Sequence, residues 1–69
     1  MKSPIQILRV PAVLKRIGIG RATLYRWLKE DPTFPRPVKI GSHSVGWVES
    51  EINAWLEARI RASRPQEAA

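Results

Sequence analysis

The chain has 69 residues, with 12 Lys/Arg against 6 Asp/Glu, a formal charge of +6 and no cysteine. This length allows one domain with a thin core, burying only about 60% of its unfolded surface, and the missing thiols exclude a disulfide framework and a thiolate metal site. No apolar run approaches the roughly 20 residues of a membrane span and no secretory pattern opens the chain, so a soluble, cytoplasmic protein is expected.

Met1 to Gln6 reads as a short, poorly ordered lead-in, with Ile5 or Ile7 able to pack as an edge. Val10-Pro11 marks a helix start, because proline fits the first helical position where its missing N–H is not needed. The first helix then runs from Pro11 to about Ile17, with Val13, Leu14 and Ile17 inward and Lys15 and Arg16 outward. Gly18 can end it, since a residue without Cβ accepts positive φ. Gly20 stands where a cap is wanted but offers no side-chain oxygen to the free N–H groups of the next helix.

From Arg21 the apolar positions Leu24, Trp27 and Leu28 are spaced three and four apart and make one buried stripe. At 100° per residue, Ala22, Tyr25, Arg26 and Lys29 lie roughly opposite, giving a face that is small at its start, then aromatic, then cationic. Two short helices joined by a glycine turn read as helix-turn-helix. An ordinary amphipathic hairpin with solvated cations is the competing reading for this stretch.

Pro32, Pro35 and Pro37 forbid a continuous helix and disfavour a central strand, so the segment after Lys29 is a stiff connector anchored by Phe34. Val38-Lys39-Ile40 and Ser44-Val45-Gly46-Trp47 flank Gly41-Ser42-His43. The alternation predicts a small half-buried hairpin with a three-residue loop, Val38 and Ile40 pointing one way and Lys39 the other. Glu49 to about Ala62 is the clearest helix, with Ile52, Trp55, Leu56 and Ile60 as its stripe. Its early acids and late arginines both suit the helix dipole. Trp27, Trp47 and Trp55 are core by periodicity, and this leaves no apolar patch over.

Charge is distributed unevenly. Residues 1–47 carry a balance of +7 and residues 48–69 a balance of −1. A basic surface on the part that holds the helix-turn-helix is what a phosphate backbone attracts, although RNA and anionic lipid attract it too. Arg26 has no acid one turn earlier and can pair with Glu30 one turn later. Tyr25 reads as a mixture, its ring packed at the core edge against the hairpin and its hydroxyl outward toward a phosphate, and Thr23 either caps or contacts phosphate. Arg36 either reaches the backbone or is solvated.

Catalytic chemistry is missing. His43 is the single histidine, Glu49 and Glu51 are solvated carboxylates by position, and Gly18-x-Gly20 lacks the preceding strand of a nucleotide loop. No catalytic residue, cofactor, metal or small-molecule substrate is expected, and an enzyme is the losing hypothesis.

The order helix, turn, helix, proline connector, hairpin, helix resembles the AlpA family of prophage transcriptional regulators. That family is similar in turn to the winged helix-turn-helix of MerR-like and excisionase-like DNA-binding domains. The resemblance covers about Leu8 to Ile60. It is carried by Gly18, Arg21, Thr23-Leu24-Tyr25-Arg26, Phe34-Pro35 with Pro37, Gly41, Val45-Gly46-Trp47, Glu51-Ile52 and Trp55-Leu56. Two positions depart from it: Gly20 stands where the family usually has serine, and His43 near where it commonly carries a loop arginine. Histidine is largely neutral at pH 7, so the tip is less cationic than in its relatives.

The resemblance implies a second helix in the major groove and a hairpin wing on the backbone or the neighbouring minor groove. The expected fold is mainly α with a small β-hairpin: a winged helix-turn-helix of three helices, with a two-stranded wing between the second and third. Residues 1–8 are expected as a flexible lead-in, 9–62 as the DNA-binding domain and 63–69 as a disordered tail. The expected contacts to double-stranded DNA are Arg21, Ala22, Thr23, Tyr25, Arg26, Lys29, Arg36, Lys39, Ser42 and His43. The expected function is sequence-specific transcriptional regulation in the nucleoid, from a prophage or other mobile element. An excisionase-type DNA-bending factor is the alternative, and a protein-interaction adaptor is the rival of another class. The operator and the sign of regulation stay open, as does the oligomeric state: a homo-oligomer or cooperative binding on DNA is compatible with the sequence, though there is no dimerising heptad and the third helix is already committed to the core.

Overall fold

The computed structural model describes residues 5–64, so the expectations for residues 1–4 and 65–69 lie outside the described residues. The element order is β1 (Ile7–Leu8), α1 (Val10–Ile17), α2 (Arg21–Glu30), β2 (Val38–Gly41), β3 (Ser44–Val48) and α3 (Glu49–Ser63). Three helices and a small antiparallel sheet give the mainly α, winged helix-turn-helix arrangement expected from the sequence.

Local chemistry sets the helix ends. Pro11 occupies the first turn of α1, and Gly18 terminates the helix in the left-handed region at φ 83°. The amides of Gly18 and Ile19 both close onto the Leu14 carbonyl, at 2.7 and 3.1 Å, and only glycine takes this conformation without Cβ strain. Gly20 caps α2 in an extended conformation with no side-chain hydrogen bond. Its carbonyl accepts from the Leu24 amide at 3.1 Å, while the first amides of α2 have no side-chain partner.

One core joins nearly every element. Val13, Leu24, Phe34, Trp47, Ile52 and Trp55 are buried, and Leu8, Val10, Leu14, Ile17, Ile19, Trp27, Leu28 and Leu56 pack partly buried around them. Phe34 anchors the proline connector as expected. Its ring meets Trp55 edge-on at 4.9 Å and Trp27 at 5.8 Å. The Trp47 indole N–H donates to the Pro35 carbonyl at 3.1 Å and that of Trp55 to the Thr33 hydroxyl at 3.2 Å. Both buried tryptophans thus satisfy their one polar atom on the connector.

Several expectations are corrected. Ile7–Leu8, the end of the expected lead-in, form a strand, with Ile7 packing as an edge, the option the sequence left open. They pair antiparallel with β3 (Ile7 with Val48, Leu8 with Trp47) and make a three-stranded sheet of order β1-β3-β2 in place of a two-stranded wing. The Glu49 amide bonds the Gln6 carbonyl at 2.9 Å, so β1 also fastens the start of α3. The hairpin loop is the two residues Ser42-His43, because Gly41 pairs with Ser44 and the register shifts between Lys39 and Gly41. That shift makes Ile40 an extra residue in its strand, a bulge that bends the wing.

Val38 and Ile40 are exposed, at 39% and 49%, because the register sets them on the sheet face opposite the one from which Leu8 and Trp47 enter the core. Both sit with Ile7 on the sheet face that carries Gly46, where a Cβ would lie 2.4 Å from Ile7 and 3.0 Å from Ile40. Val38 and Ile40 thus present an apolar patch on that face, while Val45, also exposed, lies on the opposite face with Lys39. Ile60 is likewise 48% exposed, one turn beyond the part of α3 that reaches the core. Trp27 is only half-buried.

Two groups read as solvated are partnered. The Arg16 guanidinium bonds Glu49 at 2.9 Å and the Asn53 side-chain oxygen at 2.8 Å, bridging α1 to the first turn of α3. α3 itself runs on through Ser63.

Candidate nucleic-acid interface

The outward face of α2 follows from burying the other. Leu24 lies at 0% exposure and draws Trp27 and Leu28 with it toward α3, so Arg21, Ala22, Tyr25, Arg26 and Lys29 are exposed. Ala22, Tyr25, Arg26 and Lys29 share a shallow concavity with Leu28 and Glu30. Among the described residues, no ion pair joins Arg26 to Glu30. Arg21, Arg26 and Lys29 are therefore uncommitted cations on one helix face. Tyr25 is 50% exposed on this face. Thr23 is half-buried at the first turn.

The wing brings a second set. Lys39 is exposed on β2, and Ser42 and His43 form the tip, where the Ser42 hydroxyl and the His43 Nδ1 lie 3.4 Å apart. Lys39 pairs with Val45 and therefore shares its face of the sheet.

Arg36 is placed differently from the other cations. Its guanidinium donates to the Leu28 carbonyl at 2.5 Å and to the Asp31 carbonyl at 2.9 Å, capping the carbonyl end of α2, where a cation is favoured. The chain at this end is also turned by Asp31, whose carboxylate accepts from the Thr33 hydroxyl at 2.6 Å and the Thr33 amide at 2.9 Å. Those two bonds, hydroxyl first, hold the Asp31 carboxyl below its ordinary value, helped by Arg59 and Arg36 and opposed by burial. Arg36→Ala should cost about 1–2 kcal/mol by freeing two carbonyls. A urea melt checks this, and an unchanged midpoint would show the cap to be dispensable.

One cation escaped the sequence reading. Arg9 donates from Nε to the Val45 carbonyl at 3.1 Å, taking up a β3 oxygen beyond the reach of the two-residue strand β1. Its Nη groups have no partner among the described residues. The only sequence signal was an arginine directly before the Val10-Pro11 helix start; pairing with a strand 36 positions away leaves no local trace.

No cluster of three or more His, Asp or Glu that could hold a metal occurs among the described residues, and no described helix is long and apolar enough to cross a membrane.

The model of the family "Prophage CP4-57 regulatory protein (AlpA)" matches residues 6–60. The "DNA-binding transcriptional activator AlpA" of Escherichia coli (strain K12) is 45% identical over 65 residues, covering 87% of this chain and 93% of that protein. The "Uncharacterized protein ORF88" of Enterobacteria phage P4 is 38% identical over 55 residues, covering 80% of this chain and 61% of that protein. No solved structure gives a significant match.

Proposed function

Because the chain belongs to the AlpA family of prophage regulatory proteins, we propose that it is a sequence-specific, duplex-DNA-binding transcriptional regulator, with α2 in the major groove and the β2–β3 wing against the backbone. The observation that carries this reading is the exposed face of α2, where Arg21, Arg26 and Lys29 stand beside Ala22 and Tyr25 with no intramolecular ion pair among the described residues. The name of the Escherichia coli relative supports DNA as the partner. A regulatory family also argues against catalysis.

The roles divide by chemistry. Ala22 lets the helix approach the base edges, and Arg26 forks onto a guanine. Arg21, Thr23, Tyr25, Lys29, Lys39 and Ser42 hold phosphates, and His43 reaches the backbone from the tip. Arg9 joins them through its free Nη groups, and the uncapped amides of α2 can receive a phosphate as helix N-termini do. Arg36 acts from behind, fixing the end of the helix that reads.

The test is selection of bound sites from random duplexes by wild type and Arg26→Ala. Loss of a bidentate arginine–guanine pair removes about 1–3 kcal/mol of discrimination. Preference should therefore relax at one or two base positions, with the melting temperature nearly unchanged. Equal weakening on all sequences would make Arg26 a phosphate contact and move the base reader elsewhere. Measuring the bend angle of the selected site separates a regulator that leaves DNA nearly straight from an excisionase-type factor.

The tip has its own test. His43→Arg should tighten binding at pH 7.5 by about 0.5–1.5 kcal/mol, one added charge-assisted contact. Equal affinities for wild type and His43→Arg would mean that the tip does not touch DNA.

A further inference from the structure

A groove separate from the cationic face runs along α3. Its walls are Glu51, Ala54, Trp55, Ala58 and Arg59 on the helix and Thr33 and Pro35 on the connector. The floor is apolar, and Ala54 and Ala58 are exposed at its centre. The two charged walls have opposite signs and lie eight residues apart, about 12 Å along the helix axis, with Trp55 midway between them.

From this geometry we propose that the groove is the contact surface for a second copy of this chain, packed through α3 in antiparallel orientation about a two-fold axis near Trp55. In that arrangement Glu51 of each copy faces Arg59 of the other, whereas a parallel arrangement sets like charges together. The chain is therefore its own complement, as a closed two-fold interface requires. Ala54 and Ala58 present only methyl groups, so the helix axes can approach to about 8 Å.

Arg59 is already oriented for the task. Its guanidinium lies over the Trp55 ring at 5.1 Å and 4.0 Å from the Asp31 carboxylate, yet its side chain stays 57% exposed. That leaves donors for a second carboxylate. Glu51 is exposed and has no ion pair among the described residues. The contact spans only about two helical turns, well below a standard interface, so the association in free solution is weak.

Sedimentation equilibrium of the full chain without DNA tests the proposal independently of the DNA-binding reading. Wild type should show a reversible monomer–dimer equilibrium that weakens with salt. Glu51→Lys and Arg59→Glu should each lower the association constant at least tenfold, because each sets two like-charged pairs across the axis. An equimolar mixture of the two variants should associate again, since both pairs then regain opposite signs. Ala58→Arg fills the groove at an exposed position and should also give a monomer. Circular dichroism checks that each variant is folded; should Arg59→Glu not fold, Ala58→Arg and Glu51→Lys carry the test. A wild type that stays monomeric up to about 1 mM would overturn the proposal. So would a dimer indifferent to these variants, or concentration-independent NOEs from residues 65–69 into the groove.

Discussion

Trp55→Ala is expected to unfold most of the domain at moderate temperature. The ring is 7% exposed and meets Phe34 at 4.9 Å and Trp27 at 5.3 Å, and its indole N–H bonds Thr33. Truncating a buried aromatic of this size costs about 3–5 kcal/mol. Total stability for 69 residues is only about 3–10 kcal/mol, so the loss is a large share of it. The damage should also spread. Trp55 is where α3, α2 and the connector meet, and its removal strips Trp27 and Phe34 of a shared neighbour. A urea titration followed by circular dichroism measures the effect, with Trp55→Phe recovering part of it. A Trp55→Ala protein that melts like wild type and loses only DNA affinity would put this ring in the interface instead of the core.

The second large effect is the response of DNA binding to salt. Arg9, Arg21, Arg26, Lys29 and Lys39 are exposed and make no ion pair among the described residues, so DNA need not displace an acid to reach them. Each neutralised phosphate adds about −0.9 to the slope of log affinity against log salt. Four or five such contacts predict a fall of about 100–500-fold between 50 and 200 mM salt. Replacing Lys39 or Arg21 with alanine should reduce the slope by about one while weakening all sequences alike. Arg36→Ala should leave the slope unchanged, because that guanidinium is spent on the Leu28 and Asp31 carbonyls. A flat titration would falsify the electrostatic part of the proposed function.

What could be read from the sequence was local. Pro11 and Gly18 mark the ends of α1 because each acts through its own backbone. The 3.6-residue period of Leu24, Trp27 and Leu28 places the cationic face of α2 outward because helical geometry carries that inference across three turns. The prolines and Phe34 define an anchored connector for the same local reason. Together with the family motifs, these residues determined the fold class and the exposed candidates on α2 and the wing.

Other features were decided by pairing between distant segments. Strand β1 exists because Ile7 and Leu8 find Val48 and Trp47 some forty positions away, and two residues carry no periodicity to announce it. Val38 and Ile40 alternate like a half-buried strand, yet the pairing with β3 turns them to the sheet face opposite the buried Trp47 and leaves them exposed. Arg16 and Arg36 look like any surface arginine until Glu49, Asn53 and the end of α2 come within reach. A cation's role depends on which acceptors the folded chain places around it. The sequence alone therefore determined that this protein presents a basic helix-turn-helix, and only the tertiary structure decided which of its cations stay free to bind.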